Sequence, residues 1–259
     1  MKSQLVIVGA GGRMGRQLVS LGAEHEALQV VGAVDHAEHP ELGQEVCGAG
    51  VILNADFPAR AQVVIDFSLP EATDRTLTFC REQQASLVLG TTGLSKLQQQ
   101  ALQALAGEVP VVYASNMSVG MNVLFALVGK AAAMLGEAYD IEIVEQHHRF
   151  KKDAPSGSAM TLAENICSAT DRPFPEALTH GRSGNDALRE NGKIGMHAVR
   201  AGDIVGVHTV QYSTLGETMT LNHTAHSRDT FVHGALRAAA WVVQQKPGLY
   251  NMRDVLGLD

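Results

Sequence analysis

The residues best suited to chemistry lie in one short stretch, Glu145-Gln146-His147-His148-Arg149-Phe150-Lys151-Lys152-Asp153-Ala154-Pro155-Ser156-Gly157-Ser158, directly after an apolar strand-like run. Histidine is a proton donor and acceptor near neutral pH, lysine a fixed positive charge, and a Pro-Ser-Gly-Ser helix start exposes backbone N–H groups to an anion. The combination suits an anionic substrate. A carboxylate would sit at the N-terminus opened by Ser156, Gly157 and Ser158, with Lys151 as a second charge partner and one histidine as general acid. Any one of these histidines, taken alone, is better explained as a surface or hydrogen-bonded core side chain; the clustering is what points to catalysis. A metal centre finds less support. The 11 histidines include His223 and His226, but neither HExxH nor a Cys/His ligand array appears.

A second constellation is Gly9-Ala10-Gly11-Gly12-Arg13-Met14-Gly15, between an apolar run at residues 4–9 and a helix-compatible pattern at 13–24 that carries Met14, Leu18 and Leu21. Glycines there let the backbone turn tightly and approach a pyrophosphate, which the first helical N–H groups then hold. The spacing departs from G-x-G-x-x-G: the third glycine is Gly15, and Met14 stands where glycine or alanine is usual. Asp35 follows at the end of the next apolar run, where a carboxylate accepts from the adenosine ribose hydroxyls. A carboxylate repels a 2′-phosphate and favours NADH, whereas His36 and Arg13 offer that phosphate positive partners, so NADH and NADPH both remain open. Two further turns, Gly90-Thr91-Thr92-Gly93 and Ala114-Ser115-Asn116-Met117, fall at the ends of predicted strands, where they either contact a nicotinamide or cap the next helices.

The elements that must position these groups change character near residue 120. Before it, strands at 4–9, 28–34, 63–67, 87–89 and 109–113 alternate with helices at 13–24, 71–84 and 94–106. That order predicts an α/β fold, with an N-terminal Rossmann-like doubly wound parallel sheet. After it come a helix at 122–135, a strand at 141–145, a helix at 159–169 and strands at 194–200, 205–213 and 218–226, with hairpins expected at Ala201-Gly202-Asp203 and at Gly216-Glu217. This second half reads as an α+β domain with a mixed sheet. A last helix at 230–244 is expected to pack back on the first domain. The expected division is a dinucleotide-binding domain at 1–118, completed by 228–259, and a substrate-binding and oligomerisation domain at 119–227.

The composition fits this reading. A chain of 259 residues, 45% apolar, can bury a substantial core without staples. The 3 cysteines are odd in number and lack CxxC spacing, which argues against a disulfide framework and for a reducing cytosol. A formal charge of −7 disfavours nucleic acid as a partner. The most apolar helical stretch, at 123–135, is too short for a bilayer and is interrupted by Lys130, so no membrane embedding is expected.

The segment from His147 to Ser158, with the glycine turn, Gly90-Thr91-Thr92-Gly93, Val199-Arg200-Ala201-Gly202-Asp203-Ile204-Val205-Gly206 and Met252-Arg253-Asp254-Val255-Leu256, resembles the dihydrodipicolinate reductases over essentially the whole chain. The resemblance implies a cytoplasmic homotetramer on the diaminopimelate route to lysine. It would reduce a small dicarboxylate, hydroxy-tetrahydrodipicolinate, with NADH or NADPH, the second domain binding substrate and forming the tetramer. Position by position, it implies that His147 is the acid/base histidine, Lys151 the proton-donating lysine, and His148, Gly157 and Ser158 the binders of substrate carboxylate. It likewise implies cofactor contacts at Gly9, Ala10, Gly11, Gly12, Arg13, Met14, Asp35, Gly90, Thr91, Thr92, Ala114, Ser115, Asn116 and Met117. Two positions depart from the family pattern: Asp35-His36 replaces an acidic-basic pair, which bears on cofactor preference, and Ser158 replaces a common threonine while keeping the hydroxyl.

Overall fold

The computed structural model describes residues 1–258, which form two compact units: Met1–Val119 with Asp229–Gly257, and Gly120–Arg228. The first unit is built on strands buried on both faces. In β1 (Ser3–Val8) the successive side chains Leu5, Val6, Ile7 and Val8 are all buried, so the strand must be covered by helices on both sides. With β2 (Leu28–Val34), β3 (Leu53–Asn54), β4 (Val63–Asp66), β5 (Ser86–Leu89), β6 (Pro110–Tyr113) and the C-terminal β12 (Gly248–Tyr250), it forms a 7-stranded sheet in the order β12-β6-β5-β4-β1-β2-β3. Every pairing in it is parallel. The strand order reverses between β1 and β4, the switch point at which such sheets bind ligands.

Helices α1 (Arg13–Ala23), α6 (Asp229–Val242) and α7 (Met252–Leu256) cover one face around Leu18, Val19, Val232, Leu236 and Val255. Helices α2 (Pro70–Gln83) and α3 (Lys96–Ala106) cover the other around Leu77, Cys80, Leu102 and Leu105. Strands β3 and β12 and helix α7 escape sequence reading because two, three and five residues are too few to show a period.

The second unit places α4 (Val119–Leu135, whose first residue belongs to the first unit) and α5 (Gly157–Ala169) on one face of a 5-stranded sheet ordered β11-β10-β7-β9-β8. Its strands are β7 (Asp140–His147), β8 (Leu178–His180), β9 (Ile194–Arg200), β10 (Gly206–Thr214) and β11 (Glu217–Ala225). β10 pairs antiparallel with β7 and β11, while β9 pairs parallel with β7 and β8, so the sheet is mixed. The turn at Gly216 closes a hairpin between β10 and β11. The expected hairpin at Ala201-Gly202-Asp203 does not form, because β7 lies between β9 and β10. The backbone N–H of Ala201 donates to the His147 carbonyl and that of Arg149 to the Gly202 carbonyl, which carries the loop across the end of β7.

The glycine turn is held by contact distances that no side chain fits. Gly9 has φ +78°, and a Cβ at Gly15 would lie 2.0 Å from the Gly9 carbonyl oxygen and 2.5 Å from the Ala10 Cα. Gly15 is therefore the glycine of close strand-to-helix approach, and Met14 is free to pack its side chain against the core. Gly15→Ala is expected to cost about 1–3 kcal/mol, since backbone rather than a flexible side chain must move. The check is the chemical denaturation midpoint; a midpoint equal to that of the parent would refute the close packing.

Candidate active site

The alternation of β7 builds the centre of the second unit. Ile141, Ile143, Glu145 and His147 are all buried on the face covered by the helices, apolar at the start of the strand and ionisable at its end. Pairing register brings the rest. Arg200 of β9 lies opposite His147, and His208 of β10 opposite Glu145. Glu145 is 0% exposed, and a carboxylate so buried has to be paired. Its Oε1 accepts from the Ser156 N–H at 3.1 Å and from Arg200 Nη2 at 2.7 Å; its Oε2 meets Arg200 Nη1 at 2.9 Å and His147 Nδ1 at 2.5 Å. Arg200 also donates to the Asp153 carbonyl at 2.6 Å, and Lys151 Nζ pairs with Asp153 Oδ1 at 2.9 Å.

Ser156 is the N-cap of α5, its Oγ accepting from the Ala159 N–H at 3.2 Å while lying 3.2 Å from His208 Nε2. The helix then opens with Gly157, which is exposed and has nothing within 4 Å of its Cβ position. An unobstructed helix start, with half-buried Lys151 shortly before it in the chain, can take an anion. His148 is half-buried with its Nδ1 enclosed.

Burial alone would raise the Glu145 pKa, but hydrogen bonds from Arg200 and His147 outweigh it and hold the carboxylate ionised. Burial lowers His147, opposed only in part by Glu145. Burial, reinforced by the neighbouring His147, pushes His208 down to about 4. On the opposite face of β7, Glu142 accepts from Arg182, Arg189 and His197; the bonds from Arg182 and His197 overcome its burial and bring its pKa to about 2, and the two arginines tie the segment 181–193 to the sheet. That cluster stands apart from the His147 face.

The first unit holds a cavity of roughly 710 Å³ at the switch point, lined by Gly9, Gly12, Asp35, His36, His39 and Phe67 among others. Asp35 Oδ2 accepts from the Gly11 N–H and Oδ1 from the His36 N–H, each at 2.8 Å. Gly12 caps α1 without a side chain, leaving the first turn's amides open. The turn, the carboxylate and the cavity fit a dinucleotide. Arg13, Thr92 and Ser115 are exposed, and Gly90, Ala114 and Asn116 are partly so. Ala10 and Met117 differ: both side chains are in the core, so only their backbones can face a ligand. Thr91 is buried too, its hydroxyl donating to Asp66 Oδ1 at 3.1 Å and to the Ser68 carbonyl at 3.2 Å. Among the described residues, no group of three His, Cys, Asp or Glu side chains is arranged to hold a metal ion, and no helix is long and apolar enough to cross a membrane.

Sequence reasoning gave no individual role to Glu145, Arg200, His208, Asp66 or His39. Only Glu145 carried a legible signal, since two residues apart on a strand means one face. Arg200 and His208 arrive through strand register, which spacing does not reveal.

Comparison with known proteins covers both units. A family model for the N-terminal region of dihydrodipicolinate reductase matches residues 3–117, and one for its C-terminal region matches 120–256. The chain is 46% identical over 261 residues to a 4-hydroxy-tetrahydrodipicolinate reductase of Halorhodospira halophila, covering 97% of this chain and 98% of that one. It is 43% identical over 266 residues to the enzyme of the same name from Chromobacterium violaceum, covering 100% of both. Among solved structures, a dipicolinate-bound dihydrodipicolinate reductase from a Paenisporosarcina species is similar in fold, with a TM-score of 0.77 at 23% identity, covering 97% of this chain and 98% of that one.

His208 gives a pH prediction for the second unit. Its folded pKa, about 4, lies below the ordinary 6.5, so the unfolded chain binds the extra proton. Stability from this residue is fully present above pH 6.5 and is lost as pH falls toward 4, at up to ~1.4 kcal/mol per unit. His208→Gln should flatten the acid limb of a stability-versus-pH curve over that window. An unchanged slope would contradict a neutral buried His208.

Proposed function

The chain belongs to the dihydrodipicolinate reductase family, and on that premise we propose how its residues divide the work. The protein is a nicotinamide-dependent oxidoreductase that reduces 4-hydroxy-tetrahydrodipicolinate to tetrahydrodipicolinate in diaminopimelate and lysine biosynthesis. The observation that carries the assignment of roles is the buried Glu145–His147 contact beside Lys151 and the open start of α5. When bound, the nicotinamide supplies hydride to the unsaturated ring. His147 and Lys151 handle the accompanying proton, and Lys151, His148 and the Gly157 and Ser158 amides hold substrate carboxylate.

In the first unit, Gly9 to Met14 and Asp35 receive the pyrophosphate and ribose, while the turns at Gly90 to Thr92 and Ala114 to Met117 lie on the nicotinamide side. Either cofactor is accepted. Asp35 serves the ribose hydroxyls of NADH; His36, 4.0 Å from Asp35 and largely exposed, together with Arg13, serves the 2′-phosphate of NADPH. The enzyme works in the cytoplasm as a homotetramer. Support for assembly is the face of the second sheet that no helix of this unit covers, where Val144, Val199 and Val207 sit among Thr209, Gln211, Thr220 and Asn222.

The direct test is to mix the protein with freshly generated hydroxy-tetrahydrodipicolinate and follow nicotinamide absorbance, with NADH and NADPH separately. Substrate-dependent oxidation is expected with both, and binding of cofactor without oxidation would overturn the assignment. His147→Gln is expected to lower kcat by about 100-fold or more with little change in KM, and Lys151→Ala to lower kcat and raise KM. Full turnover by His147→Gln would remove that residue from the reaction.

A further inference from the structure

We propose that Glu145 is a positioning residue: it fixes His147 as the Nδ1–H tautomer and ties that ring to the start of α5 through one carboxylate. The proposal rests on the reading of His147 as a proton-handling group, and adds to it a residue and the ring nitrogen through which the proton passes.

An ionised carboxylate accepts at about four lone-pair positions and donates at none. All four are taken by Ser156 N–H, the two Arg200 Nη groups and His147. His147 Nδ1 must therefore carry the hydrogen. In the neutral ring, Nε2 is then an acceptor. It faces Gly206, where a Cβ would stand 3.3 Å away, so glycine leaves the approach to Nε2 open.

The remaining charges around the ring have the same sense. Lys151 and Arg200 disfavour a positive charge on His147, His208 lies edge-on at 5.2 Å between ring centroids, and the carboxylate of Asp153 is engaged by Lys151. With Nδ1–H committed to Glu145, Nε2 is the ring position at which His147 takes up a proton and then gives it to the reduced ring, the one proton that must accompany the hydride. When Nε2 takes a proton, the new imidazolium already faces the Glu145 carboxylate. Because the same carboxylate holds the Ser156 N–H, the anion-binding end of α5 keeps its position relative to the ring.

Replacement by glutamine preserves shape but puts an amide N–H₂ among these donors. Turned toward His147, that amide donates to Nδ1 and demands the Nε2–H tautomer. Turned away, it faces Arg200 or Ser156, which are also donors.

The test reads tautomer and turnover separately in the full-length protein. Ring ¹⁵N shifts of His147, assigned with His147→Gln, should show the Nδ1–H form in the parent and Nε2–H or a mixture in Glu145→Gln. The kcat of Glu145→Gln should fall at least about 100-fold with KM for NADH unchanged, and Glu145→Asp should recover some of it. An Nε2–H tautomer in the parent overturns the proposal, whatever the Glu145 variants do. So does a Glu145→Gln enzyme that loses turnover with the Nδ1–H form intact, since the role is then merely structural. Full turnover by His147→Gln, with the expected tautomer change still seen, would instead count against the catalytic reading and leave the positioning intact.

Discussion

A carboxylate removed from water has to be compensated by donors, and the second unit is organised around that requirement at Glu145. Taking such a group from water without partners costs far more than a domain's net stability can absorb. Here one Arg200 fork, one backbone N–H and one imidazole supply the compensation. Each donor comes from a different place in the chain: β7 itself, β9 in parallel register, and the residue that caps α5. The pairing of three elements is thus checked at a single point, and a register slip in any of them would leave a charge buried and unpaired.

The first unit solves a different problem with glycine rather than charge. Its parallel strands are apolar on both faces, so cores on either side define the sheet and leave only the carboxyl ends of the strands for function. At that edge the backbone itself must approach the ligand. Gly9 in the left-handed region and Gly15 against the Gly9 carbonyl keep the turn thin, and Asp35 braces it through the Gly11 N–H. On the neighbouring strand Asp66 has a comparable role, its Oδ1 gathering Ser68 and Thr91 so that two loop starts are held together.

Much of this was legible in the sequence, for identifiable reasons. Long apolar runs and the 3.6-residue spacing of Met14, Leu18 and Leu21 mark elements because burial imposes a period. The segment from His147 to Ser158 was visible because its chemistry is contiguous. What stayed hidden depends on pairing between distant strands. Arg200 and His208 look like ordinary polar residues until β9 and β10 are set on either side of β7. The wrongly expected hairpin at Ala201 has the same origin: turn residues mark a change of direction, and which strand the chain returns to is decided elsewhere. The sequence puts Thr91 and Met117 in turns at strand ends, but it does not say that a hydroxyl turns inward to Asp66 or that a thioether fills the core.

The completion of the first unit by residues 229–257 has a consequence for synthesis. Helix α6 supplies Val232, Ala235, Leu236, Ala239 and Val242 to the core beneath α1, and β12 closes the sheet beside β6. A ribosome therefore releases the first 119 residues with one sheet face covered by α1 alone. At roughly 5–20 residues per second, the missing helix follows on the order of ten seconds later. During that interval the second unit, continuous in sequence, can complete its own core. The second unit's chain is thus complete before the first unit's, and the N-terminal half waits longest for the residues that finish its core.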